Sequence, residues 1–168
     1  ILPIALFFGS FSVFGSPEPT GAIERNAPIL VGRWDRIRNP EDDRPLAIGY
    51  SVSESDSGKT VIRYTVFFSD EDSAGTREKT DRQIGRYGRR LDVEWAYQVT
   101  VDPKTGEGSD RIYQCDALLG IGHRTCDFRG DFRAGTERPI LYVNARHNVF
   151  GDGPEFPYGS RFGRSEER

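Results

Sequence analysis

The 168-residue sequence contains no methionine, only two cysteines, only two histidines and three lysines. Each shortage closes off a class of function. Cys115 and Cys126 with His123 and His147 have no reserve beyond a single four-ligand set, and with only His123 lying between the cysteines their spacing matches no common zinc pattern. Neither histidine belongs to a His-Glu-x-x-His pair, and no Gly-x-Ser-x-Gly elbow is present. The formal net charge of −3 lacks the basic footprint of a dedicated nucleic-acid binder, so no nucleic-acid partner is expected. No glycine-rich phosphate loop follows a strand and opens a helix, which leaves nucleotide binding unsupported. With methionine absent, the natural start is expected upstream of Ile1.

What is present is turn chemistry and aromatic bulk. Glycine (19) and proline (10) are spread along the chain, which disfavours long helices, while aromatics at 12% supply enough apolar surface for one core. Strands are expected over Pro28 to Trp34, Leu46 to Ser53, Thr60 to Phe68, Leu91 to Val101, Arg111 to Cys115 and Pro139 to Ala145. In the third, Ile62, Tyr64, Val66 and Phe68 form the apolar face and Val61, Arg63, Thr65 and Phe67 the other. Ser55 to Gly58 and Asp102 to Gly108 read as hairpin turns, and Ser69 to Arg90 as a long polar loop. No amphipathic helix and no repeat emerges. The expected fold is all-β: an antiparallel β-sandwich with long loops, or else a partly open β-barrel.

Residues Ile1 to Phe14 carry no charge and are followed by Gly15, Ser16 and Pro17-Glu18-Pro19. A run of this length is shorter than the roughly 20 residues that span a bilayer and matches a signal-peptide apolar region or an anchor to a membrane or partner. Residues 1–16 are therefore set apart as signal-like or anchoring, 22–150 as the folded domain and 151–168 as a surface tail. Ten residues including Gly120 and Gly122 separate Cys115 from Cys126, so a disulfide is expected, with two buried free thiols as the alternative. Both features point to a secreted or periplasmic, envelope-associated protein.

Three constellations carry possible chemistry. On a strand, Asp92 and Glu94 project from one face while Val93 and Trp95 project from the other, so the carboxylates are expected on a wet face and the apolar pair on a packed one. There they share a divalent cation, calcium or magnesium, or enter an ion-pair ladder with Arg89, Arg90 or another of the 20 arginines. Asp70, Asp72, Gly75, Glu78 and Asp81 fall at positions 1, 3, 6, 9 and 12 of a calcium-loop pattern, although Ala74 and Arg77 depart from it. His147 with Asp92 or Glu94 is a candidate acid/base pair, and His123 reads as a surface residue.

The segment Gly88-Arg89-Arg90-Leu91-Asp92-Val93-Glu94, with Tyr64 to Asp70, the following Ala96 to Asp102 and the late Arg138 to Phe150, resembles two groups. One is the necrosis-inducing family of microbial cytolysins, with its hallmark G-H-R-H-D-W-E. The other is the vacuolar-sorting-like family. Gly88, Arg90, Asp92 and Glu94 match the hallmark, while Arg89 and Leu91 stand where it has histidines and Val93 where it has tryptophan. The resemblance implies a β-sandwich and, for the cytolysins, a divalent-metal site that engages membrane lipids; only the two carboxylates carry over as ligands. Fold likeness alone licenses no activity. The leading expectation is an exported, non-enzymatic binding protein that contacts a protein or envelope component, with membrane contact through residues 1–14; the alternative is a metal-assisted lipid-binding or cytolytic module.

Overall fold

Alternation at period two dominates the chain, and the computed structural model turns it into one curled sheet. It describes residues 20–32, 45–69, 91–116, 123–143 and 148–153. A short helix, α1 (Thr20–Asn26), precedes eight strands: β1 (Ile29–Gly32), β2 (Pro45–Glu54), β3 (Thr60–Phe68), β4 (Asp92–Val101), β5 (Gly108–Asp116), β6 (His123–Asp127), β7 (Ile140–Val143) and β8 (Phe150–Gly151). The strand order is β1-β7-β8-β5-β4-β3-β2, with β6 also paired to β5.

The fold is all-β, as expected, but the sheet is mixed and curls into a half-barrel, nearer the partly open barrel than two facing antiparallel layers. The parallel pairs are the reason. β1 lies parallel to β7 from Ile29↔Ile140 to Gly32↔Val143, and β8 lies parallel to β5 at Cys115↔Phe150. Both pairings join segments distant in sequence, so no local turn signal announces them.

The hairpins follow their turn residues. Between β2 and β3, Ser55 N–H donates to the Lys59 carbonyl and Gly58 takes the left-handed conformation (φ 73) that glycine adopts without a steric cost. Between β4 and β5, the Asp102 carboxylate accepts from the Lys104 N–H (2.8 Å), and Gly106 N–H donates to the Asp102 carbonyl. The alternation expected in β3 is observed: Ile62, Tyr64, Val66 and Phe68 are buried while Arg63 is exposed. These four meet Tyr97, Val99, Leu141, Val143 and Phe150 inside the curl. α1 adds Ile23 to that core, held by the Tyr64 hydroxyl donating to the Ile23 carbonyl (2.6 Å).

Three elements are absent from the sequence expectation. α1 has seven residues, too few to show a helical period. β6, H-R-T-C-D, lies within the expected disulfide loop and is largely exposed, so it shows no apolar alternation. β8 has two residues. The folded contacts also run past Phe150, where the tail was expected to begin. Asp152 accepts from the Tyr113 hydroxyl (3.1 Å) and the Arg129 N–H (3.0 Å), and a Cβ on Gly130 would come within 2.1 Å of the Asp152 carbonyl oxygen. Among the described residues no helix is long and apolar enough to cross a membrane. Residues 1–14, the 70–90 loop and the chain beyond Gly153 lie outside the described residues.

Candidate functional site: a polar nest where the sheet forks

The geometry at Asp92 and Glu94 is decided by one extra residue. β4 pairs with β3 as Phe68↔Asp92, Val66↔Glu94 and Thr65↔Trp95, and then jumps to Tyr64↔Tyr97, leaving Ala96 without an opposite number. This bulge shifts the inward set of β4 by one position. Tyr97, Val99 and Val101 face the core after it; before it, the inward positions are Asp92 and Glu94, beside Phe68 and Val66. The expected orientation is therefore reversed. The carboxylates lie on the inner face, Asp92 only 8% exposed, and Val93 and Trp95 lie on the outer one. There the Arg63 guanidinium sits 5.4 Å from the Trp95 ring centroid and holds Gln98 Oε1 through Nε and Nη2.

A fork in the sheet makes room for them. Tyr113 pairs with Cys126 of β6 and with Tyr97 of β4, so those two strands flank opposite edges of β5. Cys115 pairs with Arg124 of β6 and Phe150 of β8, so β8 takes over the edge that β4 has left. In the fork, Asn148 Nδ2 donates to Asp92 Oδ2 (2.9 Å) and Gln114 Nε2 donates to Glu94 Oε2 (2.6 Å). His123 Nε2 stands 3.7 Å from Glu94 Oε1. Asn148 is fully buried with φ 50, a left-handed conformation that asparagine tolerates better than most side chains. Gln114 is 2% exposed, and its Oε1 has no hydrogen-bond partner among the described residues.

Among the candidate site residues, the structure places Asp92 and Glu94 together with Gln114, Asn148 and His123. Asp70, Asp72, Asp81 and His147 lie outside the described residues, as do Arg89 and Arg90. Among the described residues no three His, Cys, Asp or Glu side chains are grouped as a cation's ligand set. Gln114 escaped sequence reasoning because it reads as one polar residue between Tyr113 and Cys115. His123 is exposed, as expected, and β6 also carries it beside Glu94. Cys115 and Cys126 form the expected disulfide, with Cα atoms 5.9 Å apart on neighbouring strands.

Burial gives the carboxylates measurable weight. Asp92→Ala removes the acceptor of the buried Asn148 Nδ2 and is expected to cost about 1–3 kcal/mol in urea unfolding, whereas an outward-facing carboxylate would cost within about 0.5 kcal/mol. A near-zero value would place Asp92 on the wet face after all.

The phenols set an alkaline limit. Burial, aided by the Asp152 carboxylate, pushes Tyr113 up to about 12, and burial raises Tyr64 and Tyr97 as well. A raised phenol stabilises the fold fully below the unfolded value of about 10 and loses that contribution as pH climbs through the folded value. Stability is expected to fall from about pH 10 toward 12, with these three ionising only as circular dichroism is lost. Ionisation of all seven tyrosines before any loss of circular dichroism would contradict this.

Comparison of the chain with protein-family models, with curated proteins and with solved structures gave no match.

Proposed function

We propose that the protein is an exported, non-enzymatic binding protein, a subunit of an envelope assembly whose partner adds an extended segment along the edge of β2 that no described strand covers. The disulfide is compatible with an extracellular or periplasmic location. The observation that carries the reading is the contrast between the edges of the half-barrel. An unpaired strand edge offers main-chain N–H and C=O groups to another chain, and proteins ordinarily blunt such edges with shortness, charge or proline.

β1 is short, four residues, and β6 carries His123, Arg124 and Asp127 among its five. β2 is protected only at its ends, by Pro45 with the register shift beside it and by Glu54: it is ten residues long, pairs only with β3 among the described residues, and is uncharged from Leu46 to Ser53. Leu46 (50% exposed) and Val52 (39% exposed) stand along it, two of the few large apolar side chains left open to solvent. Strand addition takes affinity from the main chain and specificity from alternate side chains, which suits these two positions.

The double variant Leu46→Lys with Val52→Lys is expected to fold normally but to migrate alone on native gels of cell-envelope extracts, where the wild-type chain migrates in a larger complex. Identical migration of the two would overturn the reading.

A further inference from the structure

A second polar corner lies beside the C-terminal end of α1. There the loop between Phe132 and Pro139 folds back on itself: Arg133 N–H donates to the Arg138 carbonyl, Thr136 N–H donates to the Arg133 carbonyl, and Phe132 bridges to Pro139. Between this loop and α1 runs an open groove of about 540 Å³ lined by Arg25, Gly135, Thr136, Glu137 and Arg138. That volume is in the range that accommodates small-molecule ligands.

The charges in the groove do not cancel. Glu137 is engaged by Arg111, whose Nη2 forms an ion pair with Glu137 Oε2. Arg138 spends its Nε on the Ala27 carbonyl (3.0 Å), which fixes the guanidinium plane and leaves both Nη groups without a hydrogen-bond acceptor or ion-pair partner among the described residues. Arg25 has no carboxylate within ion-pair distance among the described residues, and its Nη1 lies over Gly106, 3.1 Å from where a Cβ would stand. Two uncompensated guanidiniums thus share one groove on a chain of net charge −3. Gly135, in the left-handed region (φ 73), has nothing within 4 Å of where its Cβ would stand, so the main chain there is open to a ligand.

Beneath the groove, Asn26 Oδ1 is buried with no hydrogen-bond partner among the described residues. Arg111 Nη2 and Asn26 Oδ1 both crowd Gly108, and the Tyr97 hydroxyl is hydrogen-bonded to the Arg111 guanidinium, so Arg111 is occupied by Glu137 and Tyr97 and leaves the groove to Arg25 and Arg138.

We propose that this groove binds a small oxyanion bearing two or more carboxylate or phosphoryl oxygens, held by the Arg25 and Arg138 guanidiniums over the open backbone at Gly135. Guanidinium forks match such oxygens in pairs, which a lysine does not. The site stands apart from the β2 edge, and its fate is independent of that reading.

The test is an NMR titration of the ¹⁵N-labelled full chain with inorganic phosphate and with malonate, against chloride at matched ionic strength. The amides of Arg25, Gly135, Thr136 and Arg138 are expected to move along saturable curves with a dissociation constant on the order of 1 mM, for phosphate, malonate or both; which anion saturates identifies the phosphoryl or carboxylate source. Arg25→Gln, at an exposed position, is expected to weaken binding roughly fivefold or more, and Arg138→Lys to weaken it while keeping the charge. Arg129→Gln, outside the groove, is expected to change nothing. Linear drift with both anions, or saturation unaltered by Arg25→Gln, would overturn the proposal. If Arg138→Lys unfolds the chain, Arg25→Gln decides alone.

Discussion

Phe150→Ala is expected to lower the unfolding free energy by about 3–5 kcal/mol, the range for a buried phenylalanine truncated to alanine. The side chain is fully buried, its ring 6.3 Å from that of Phe68, and its backbone pairs with Cys115 on one side and Val143 on the other. Phe150 therefore closes the path from β5 to β7, and through β7 to β1. Removing its ring leaves a cavity at the seam where distant parts of the chain meet. In a domain whose total stability is about 5–15 kcal/mol, that loss consumes a large share. Urea unfolding measures it, with Val52→Ala as the solvent-exposed control expected within about 0.5 kcal/mol of wild type. Equal, small effects from both variants would mean that β8 does not join the two halves of the sheet.

Replacing both Cys115 and Cys126 with serine is expected to cost about 3 kcal/mol, which corresponds to roughly 6–12 °C in melting temperature for a chain of this size. The bond spans 11 positions and ties β5 to β6, the strand that carries His123 to the fork. Its stabilisation comes mainly from the unfolded chain, which loses the freedom to separate the two residues. Wild-type protein under reductant is expected to melt with the double variant, and the variant to ignore reductant. Wild-type melting unchanged by reductant, with both thiols shown free by alkylation and mass spectrometry, would contradict this. The dependence also bears on location: in a thiol-reducing compartment the chain would forgo this stabilisation.

These two sites illustrate what a sequence discloses. β2 to β4 and the start of β5 are legible because each strand follows a local rule: alternation in Thr60–Phe68, glycine and aspartate at the turns, an even apolar run into Val101. The cysteine pair is legible from spacing and flexible intervening residues. Phe150 is not, because a two-residue strand has no period and its partners lie 7 to 35 positions away. The inward turn of Asp92 and Glu94 is the sharper lesson. Counting by twos from Val101 back to Asp92 fails at Ala96, where the bulge adds one residue, so a reading by alternation puts both carboxylates on the wrong face. Asn148 and Gln114 then complete the nest through contacts 56 and 20 positions apart, which no local pattern encodes.

The β2 edge raises a question of economy. A long edge uncharged over nine residues is a hazard in a protein that is meant to stay alone and an asset in one that joins an assembly. The opposite end of the sheet is guarded by brevity and β6 by charge, whereas β2 carries its proline and its charge only at its two ends and is open between them.

The most direct measurement is site-specific photo-cross-linking in living cells, with a benzophenone amino acid placed at Val52 or, as the control, at the exposed Arg129. Strand addition along β2 is expected to give a discrete higher-mass adduct from position 52, none from position 129, and loss of the adduct when Leu46→Lys is added. Adducts of equal yield from both positions, or an adduct at 52 that survives Leu46→Lys undiminished, would contradict the account.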